Sequence, residues 1–470
     1  MLQTRCSVLV VGLLTGMLVG VRSSNAQYAG NFQTNTISGV VSNWTGDYLI
    51  GSNTFADVLL IENAGVLSNG NSYIGYEVGA DNNAVVVSDS NSIWSVAVLL
   101  VVGNNSSGNQ LVVTNGANVG CGLLSIGSNS AAGTNTVAIT GTNSLLNVSG
   151  DIVVGNAGPM NQLRIGDTAG VVCSNGTIGV AGSSNTVLVT DNDTLWTLNG
   201  NLTIGPGGTG NQLILTNGGS VMVMNATHLA TLDVQVGTLA LNGGTGTADR
   251  FTATNGAQSV FTFNGGLLAS GATQISNTHP TVIGDGLSTA TFQLNGGAHT
   301  FVDGLCVLSN AAVTGCGTIN GNVTIDQGGI VAASCGGRLT FTGILTNNGE
   351  IQVVNGTALE SYGTLVNNGI IDLFAAGPTN FHGVFINNGS VRNGANMVIS
   401  GTDVILKVLP LPFPLGIHIY NLQVNPSLAP ANWVDSGATQ ISFGGQLLTF
   451  TDVGGATNRP GRFYRVRKQL

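Results

Sequence analysis

Charge is what this chain has least of. Only 7% of its 470 residues are charged and 6% are aromatic. Of 21 acidic residues, all but Asp435 and Asp452 lie between residues 27 and 408, where the cations are Arg164, Arg250, Arg338, Arg392 and Lys407. The phosphates of a nucleic acid require a basic stripe, so such a body excludes nucleic acid as a partner. Arg459, Arg462, Arg465, Arg467 and Lys468 then crowd the last twelve residues and read as a solvated tail. Beyond residue 26 no apolar run approaches the ~18–20 residues that a membrane helix needs, and no amphipathic helical period appears. The five histidines, His228, His279, His299, His382 and His418, show no His-x-x-x-His or Glu-paired spacing. The Gly-rich, Asp-bearing nonapeptide of calcium-binding β-rolls is absent, as is a Gly-rich loop followed by Lys-Ser/Thr. No metal, cofactor or phosphate site is expected. Disorder is excluded too, because 43% of the chain is apolar while its charge is low.

A fixed period fills the space these absences leave. Asp57, Asn83, Asn109, Asn135, Asn161, Asn185 and Asn211 are separated by 26, 26, 26, 26, 24 and 26 positions. Two and four residues after each come aliphatic side chains, such as Leu111 and Val113, Val137 and Ile139, or Val187 and Val189. Six on stands a turn former (Asn63, Asp89, Asn115, Gly141, Asp167, Asp191, Asn217). Ten on is aliphatic again: Leu67, Ile93, Val119, Leu145, Val171, Leu195, Val221. A second marker, apolar-Gly, falls at Gly51, Gly75, Gly103, Gly127, Gly155, Gly179 and Gly205, at spacings that alternate near 28 and 24. Periods of 20–50 residues mark arrays whose units bury their apolar faces only by stacking. Alternation of Val, Ile, Leu and Thr between Asn-Gly and Gly-Gly turns gives short strands.

The expected fold is therefore all-β: a right-handed parallel β-helix of 20–26-residue coils, followed by a small C-terminal β module. A propeller is the competing architecture, but its blades need ~40–50 residues. Residues 1–26 read as a signal peptide, with an apolar Cys6–Val21 run and a small-x-small Ser24-Asn25-Ala26; a retained membrane anchor is the competing reading. The solenoid then spans 27–408, with regular coils over 47–230, a looser block over 231–340 and 20-residue coils over 341–404. In the last block Asn347-Asn348-Gly349 recurs at 367–369 and 387–389. Prolines at 410, 412 and 414 make 409–414 a linker, because alternate prolines cannot donate to a ladder. Residues 415–470 form the terminal module.

Stacking puts equivalent residues above one another, so the Asn column is expected to form an amide ladder. Leu111, Val113, Val137, Ile139, Val187 and Val189 are expected in one continuous core. Trp94 and Trp196 share a column, where packing near a corner competes with stacking on sugar rings. Sequons at Asn104, Asn147, Asn201 and Asn322 arise by chance in so Asn- and Thr-rich a chain. Cys121 and Cys173 should lie two coils apart, ~9.6 Å, beyond the ~7 Å that a disulfide spans. Cys316 and Cys335 are 19 apart, close to one coil, and are placed to bridge.

Tyr420-Asn421-Leu422-Gln423-Val424, Asn432-Trp433-Val434, Phe450-Thr451-Asp452 and Arg462-Phe463-Tyr464-Arg465-Val466 resemble the terminal module of secreted bacterial repeat proteins. The resemblance covers about 55 residues and implies export and sorting, with no catalytic role. The repeat body, including Gly237-Thr238-Leu239-Ala240-Leu241-Asn242-Gly243, resembles the passenger regions of bacterial autotransporter-type adhesins. Residues 415–470 are too few for a translocator barrel, so the likeness stops short of a complete autotransporter.

Enzymatic chemistry on such a scaffold needs paired carboxylates, often with an Arg or Lys, converging on one groove. The densest acidic spot, Asp191-Asn192-Asp193, aligns with Ser88-Asp89-Ser90 and Thr140-Gly141-Thr142 and is a turn. Asp285, His279 and His299 lie in the irregular block but lack motif spacing. No catalytic, cofactor-binding or metal-ligating residue is assigned. The expected function is that of a non-enzymatic extracellular or cell-surface structural or adhesive repeat protein, with surface polysaccharide or another envelope component as partner. The alternative is a carbohydrate-active parallel β-helix enzyme, a polysaccharide lyase or glycoside hydrolase.

Overall fold

The computed structural model describes residues 28–354, 356–373 and 377–393, and beyond them six strands at 395–400, 403–408, 418–425, 434–442, 448–452 and 463–468. The leader and the 409–414 segment fall outside the described residues. Through residue 393 the chain is a parallel β-helix. Each strand pairs in parallel with its counterparts one coil before and one coil after: Gln110–Thr114 sets Leu111 against Val85 on one side and Val137 on the other. Among the described residues the one helical element is a single 3-10 turn, Gly256–Gln258.

Alternate residues of each strand point inward, so stacking turns the sequence columns into rows of a core. Leu111, Val113, Val137, Ile139, Val187 and Val189 are all fully buried and belong to one apolar cluster running from Ile37 to Leu373. The aliphatic column ten residues after the ladder position alternates between inward and outward. Leu67 stacks on Trp94, Val119 on Leu146 and Val171 on Trp196. Ile93, Leu145 and Leu195 therefore face outward, and Leu195 is 40% exposed. Every second coil carries one more residue at the first corner. Asp89 and Asn91 both take positive φ there, as do Asp191 and Asp193. The same slip puts Trp94 and Trp196 fully inside, which removes them as sugar platforms. Their indole N–H groups bond within the core, to Asn69 Oδ1 at 2.9 Å and to Cys173 Sγ at 3.3 Å.

Coil length is conserved while its distribution changes. From ladder residue to marker glycine is 18 residues in one coil (Asp57 to Gly75) and 20 in the next (Asn83 to Gly103). The return to the next ladder residue is 8 and then 6. The total is 26 in every step but the one from Asn161 to Asn185, which is 24, and corners of two shapes alternate up the stack.

The ladder residues are 0–1% exposed. Asn135 Oδ1 accepts two bonds from the coil before it, from the Asn109 backbone N–H at 2.9 Å and from Asn109 Nδ2 at 3.0 Å. Asn135 then donates in the same way to Asn161, and the pattern repeats to Asn211. Asp57, the first rung, needs no amide donor. Its carboxylate accepts from Gln33 N and Thr54 Oγ1. The marker glycines lie directly against this ladder. Gly103 has φ 76°, and a Cβ there would overlap the Asn135 amide; Gly155 stands in the same relation to Asn185. The two sequence columns are thus one packing unit.

From Gly237 the corners smooth out. Gly237–Ala253 and Ser259–Ile275 run 17 residues each and pair along their length. The Asn242-Gly243-Gly244 phrase becomes a bulged corner there. The 20-residue coils restore a ladder: Asn347 Nδ2 donates to Asn367 Oδ1 and Asn367 Nδ2 to Asn387 Oδ1. After the last of these phrases, pairing turns antiparallel. Ala395–Ser400 pairs with Asp403–Val408, which also pairs with Leu448–Asp452. His418–Asn425 lies between Val434–Ser442 and Phe463–Lys468. Antiparallel pairing thus begins at 395 and joins strands from both sides of 409–414.

Cys316 and Cys335 form a disulfide, with Cα atoms 5.9 Å apart. Cys121 and Cys173 are unpaired and buried, both in register with Val148. Burial pushes both thiols up to about 12. For Cys306, burial first and the nearby Asp326 carboxylate second push the thiol up to about 11.

Two expected outcomes test these columns. Val137→Asp puts an uncompensated charge into the core and should cost about 3–5 kcal/mol. Asn135→Ala orphans the buried Asn109 N–H and should cost about 1–3 kcal/mol. Denaturant melts measure both, and a wild-type midpoint for either variant would remove its column from the account. Thiolate is the alkylating species, and a raised pKa depletes it at pH 8. In the native chain Cys121 and Cys173 should therefore resist iodoacetamide, Cys306 should label slowly, and all three should label in denaturant. Peptide mapping should recover the Cys316–Cys335 linkage, and a Cys121–Cys173 linkage would break the coil assignment.

Candidate functional site

The repeat is interrupted most sharply after Val223. The inward column Val171, Trp196, Val221 and the next inward column Ile178, Ile204, Val234 are aligned by register. The steps between them are 7, 8 and then 13 residues. The extra residues form a loop ahead of Ala230. Asn225 Oδ1 braces it internally, accepting from Thr227 N, Thr227 Oγ1 and Leu229 N.

One carboxylate fastens this loop to the body. Asp249 is 6% exposed, and its Oδ2 accepts from Asn225 N at 2.9 Å and Ala230 N at 3.2 Å. Its Oδ1 lies 3.4 Å from His228 Nδ1. Buried charge is tolerated when its lone pairs are filled in this way. Arg250, the next residue, is exposed and makes no ion pair among the described residues. Beneath the loop the corner is bare. Asp249 is followed up the stack by Gly271 and Gly297, where a Cβ would overlap or crowd the backbone of the coil before. The result is a groove of about 440 Å³ lined by Met224, His228, Asp249, Arg250, Ala272 and Asn295.

The residues singled out by sequence lie elsewhere and do not converge. Asp191 and Asp193 are corner residues with φ 74° and 62°. Asp191 Oδ2 accepts the Asp167 N–H at 3.2 Å, a turn role like that of Asp89 toward Asn63. Asp285 is exposed and accepts from Ser288 N and Leu287 N at 2.7 and 2.8 Å. Those N–H groups, Ser288 first, hold its carboxyl below the usual range. His299 is fully buried. Its ring nitrogens meet Thr273 Oγ1 at 3.0 Å and Gly296 O at 2.7 Å, and burial lowers its pKa. His279 stays on an exposed loop. Sequence reasoning passed over His228, Asp249 and Arg250. Their signal was the insertion in the coil length together with a rare arginine beside it.

A second cluster sits in the 20-residue coils. Arg338 lies 3.1 Å from the buried Glu360 carboxylate, Tyr362 Oη donates to Glu360 at 3.3 Å, and His382 stacks on Tyr362 at 4.4 Å. Tyr362 and His382 are one coil apart, so the rings stack along the solenoid axis and turn their edges outward. Glu360 is occupied by Arg338 and Tyr362. Among the described residues no group of three or more His, Cys, Asp or Glu is placed to hold a metal. No described helix is long and apolar enough to cross a membrane.

Compared with known protein families, curated proteins and solved structures, the chain matches none.

The loop anchor can be tested directly. Asp249→Ala removes the acceptor of two backbone N–H groups and should cost about 1–3 kcal/mol locally. Limited proteolysis should then cut within residues 225–230 well before wild type is cut there. Equal protection would mean that the carboxylate does not hold the loop.

Proposed function

We propose that this is a non-enzymatic structural or adhesive repeat protein, exported to the cell surface or beyond. The observation that carries the reading is the groove beside Asp249. Hydrolysis or elimination on a saccharide takes an acid and a base on opposite sides of the bond, commonly two carboxyl groups. The groove's lining offers one carboxylate, already filled by two backbone N–H groups. The coils on either side of the irregular block repeat a small set of positions, so their product is length and a regular lateral surface. The Phe463–Lys468 strand carries the phrase that resembles the terminal module of secreted repeat proteins, which supports export and sorting. Surface polysaccharide is the partner class we favour.

The alternative, a carbohydrate-active β-helix enzyme, draws on the same groove, where His228 and Arg250 stand beside an acid. A paired assay separates the two. Chain immobilised on beads should retain envelope polysaccharide, while incubation with acidic polysaccharides should release neither reducing ends nor unsaturated products. Turnover that depends on His228 or Asp249 would overturn the adhesive reading.

A further inference from the structure

We propose that the groove under the 225–230 loop binds the carboxylate of an acidic sugar residue. This deepens the adhesive reading by naming the ligand class and the place where it is held.

The argument begins with Arg250. In a chain of net charge −9, a cation has many carboxylates to choose from, yet Arg250 makes no ion pair among the described residues. Its sequence neighbour Asp249 is turned inward and occupied by the loop. Arg250 is among the groove's lining residues, and its guanidinium is uncommitted to a carboxylate among the described residues; such a fork matches a carboxylate in bidentate fashion. His228, with a side chain 79% exposed and its Nδ1 turned to Asp249 Oδ1, places the other ring nitrogen on the rim.

The rest of the groove selects the body of the ligand. Along the stack Arg250 is in register with Thr231 before it and Ala272 after it, so the space on one side of its column is left open by a methyl group. Small side chains and backbone form the floor, and Asn295, whose Oδ1 accepts from Gln293 Nε2 at 2.9 Å, brings an amide Nδ2 donor. A volume near 440 Å³ falls within the range of small-molecule clefts and suits one or two sugar rings.

An acidic peptide fits less well. Extended peptides gain their main-chain affinity by adding to a free strand edge. Here Gly237–Ala253 is paired on one side by Asn211–Thr216, Ser220–Val223 and Thr231–Val234, and on the other by Ser259–Ile275. No edge is free at the groove. The insertion itself points the same way. A regular coil would carry no overhang here, and a buried carboxylate is spent on keeping the loop in place above a corner emptied by Gly271 and Gly297.

The test uses the full mature chain and isothermal titration with a uronic acid trisaccharide, set against the same trisaccharide with its carboxylates reduced to alcohols. The acidic form should bind at least about tenfold more tightly, a preference that weakens as salt rises. Arg250→Gln should erase that preference, and Ala272→Leu, which fills the floor, should weaken the acidic trisaccharide as well. Arg164→Gln, on another face of the stack, should change nothing, and unaltered melting of each variant shows that it has folded. Equal affinity for the two trisaccharides, no binding by wild type, or an unchanged preference in Arg250→Gln would overturn the proposal. An acidic tripeptide that binds as tightly as the trisaccharide would also overturn it. Beads coated with Arg250→Gln that still retain polysaccharide would refute the groove while leaving adhesion standing. Loss of retention by wild type as well would sink both.

Discussion

A single amide oxygen sets the terms for the regular coils. From Asn109 to Asn211 each ladder Oδ1 accepts both the backbone N–H and the side-chain N–H of the residue one coil earlier. Satisfying a buried amide this way demands that the next coil return an Asn to the same spot. A change in coil length must be absorbed at a corner off the column, as in the 24-residue step from Asn161 to Asn185, across which the ladder is unbroken; one that displaced the amide would leave buried donors orphaned. The same close approach leaves no room for a Cβ on the facing strand end, which is why glycine with positive φ recurs at Gly103 and Gly155. Coil length, the glycine column and the inward alternation of aliphatic residues follow from this one contact.

Both ladders run in the same direction, with amide hydrogens pointing up the chain and oxygens down it. Their ends differ. The first opens on Asp57, whose oxygens are filled by Gln33 and Thr54, and closes at Asn211, whose Nδ2 has no partner. There the next coil offers Gly237 in register, so the donor faces an empty position. The second ladder opens on Asn347, whose Oδ1 is likewise unpartnered because Ile325 lies in register before it. The irregular block between them uses a different solution, long strands that bend through glycine bulges. The irregularity that forms the groove sits where the first ladder has ended, so the groove adds no strain to the amide column.

Much of this was legible in the sequence because stacking converts period into contact. The Asn column, the inward pairs such as Val137 and Ile139, the reach of the Cys316–Cys335 pair and the parallel class all follow from spacing. Ile93 and Leu195 face outward beside inward tryptophans, and both members of each pair are apolar. Periodicity cannot tell which of two neighbouring hydrophobes faces inward when a corner gains one residue. The groove was less legible still. Its parts, His228, Asp249 and Arg250, share no motif, and Asp249 is joined to its loop through backbone N–H groups that carry no sequence signature. Only the excess length after Val221 hinted at it.

The alternation of short and long corners has a meaning for how such a chain can grow. Removing one coil would set two corners of the same shape on top of each other, with Asp89-type turns meeting where they now interleave with Asn63- or Asn115-type ones. Removing two, from Asn109 up to Asn161, takes out 52 residues and rejoins unlike corners as before. The heritable unit is therefore the coil pair, even though the physical repeat is the single coil. By this rule, relatives built on the same plan would differ in reach by whole steps of ~9.6 Å, as a ruler does between its marks.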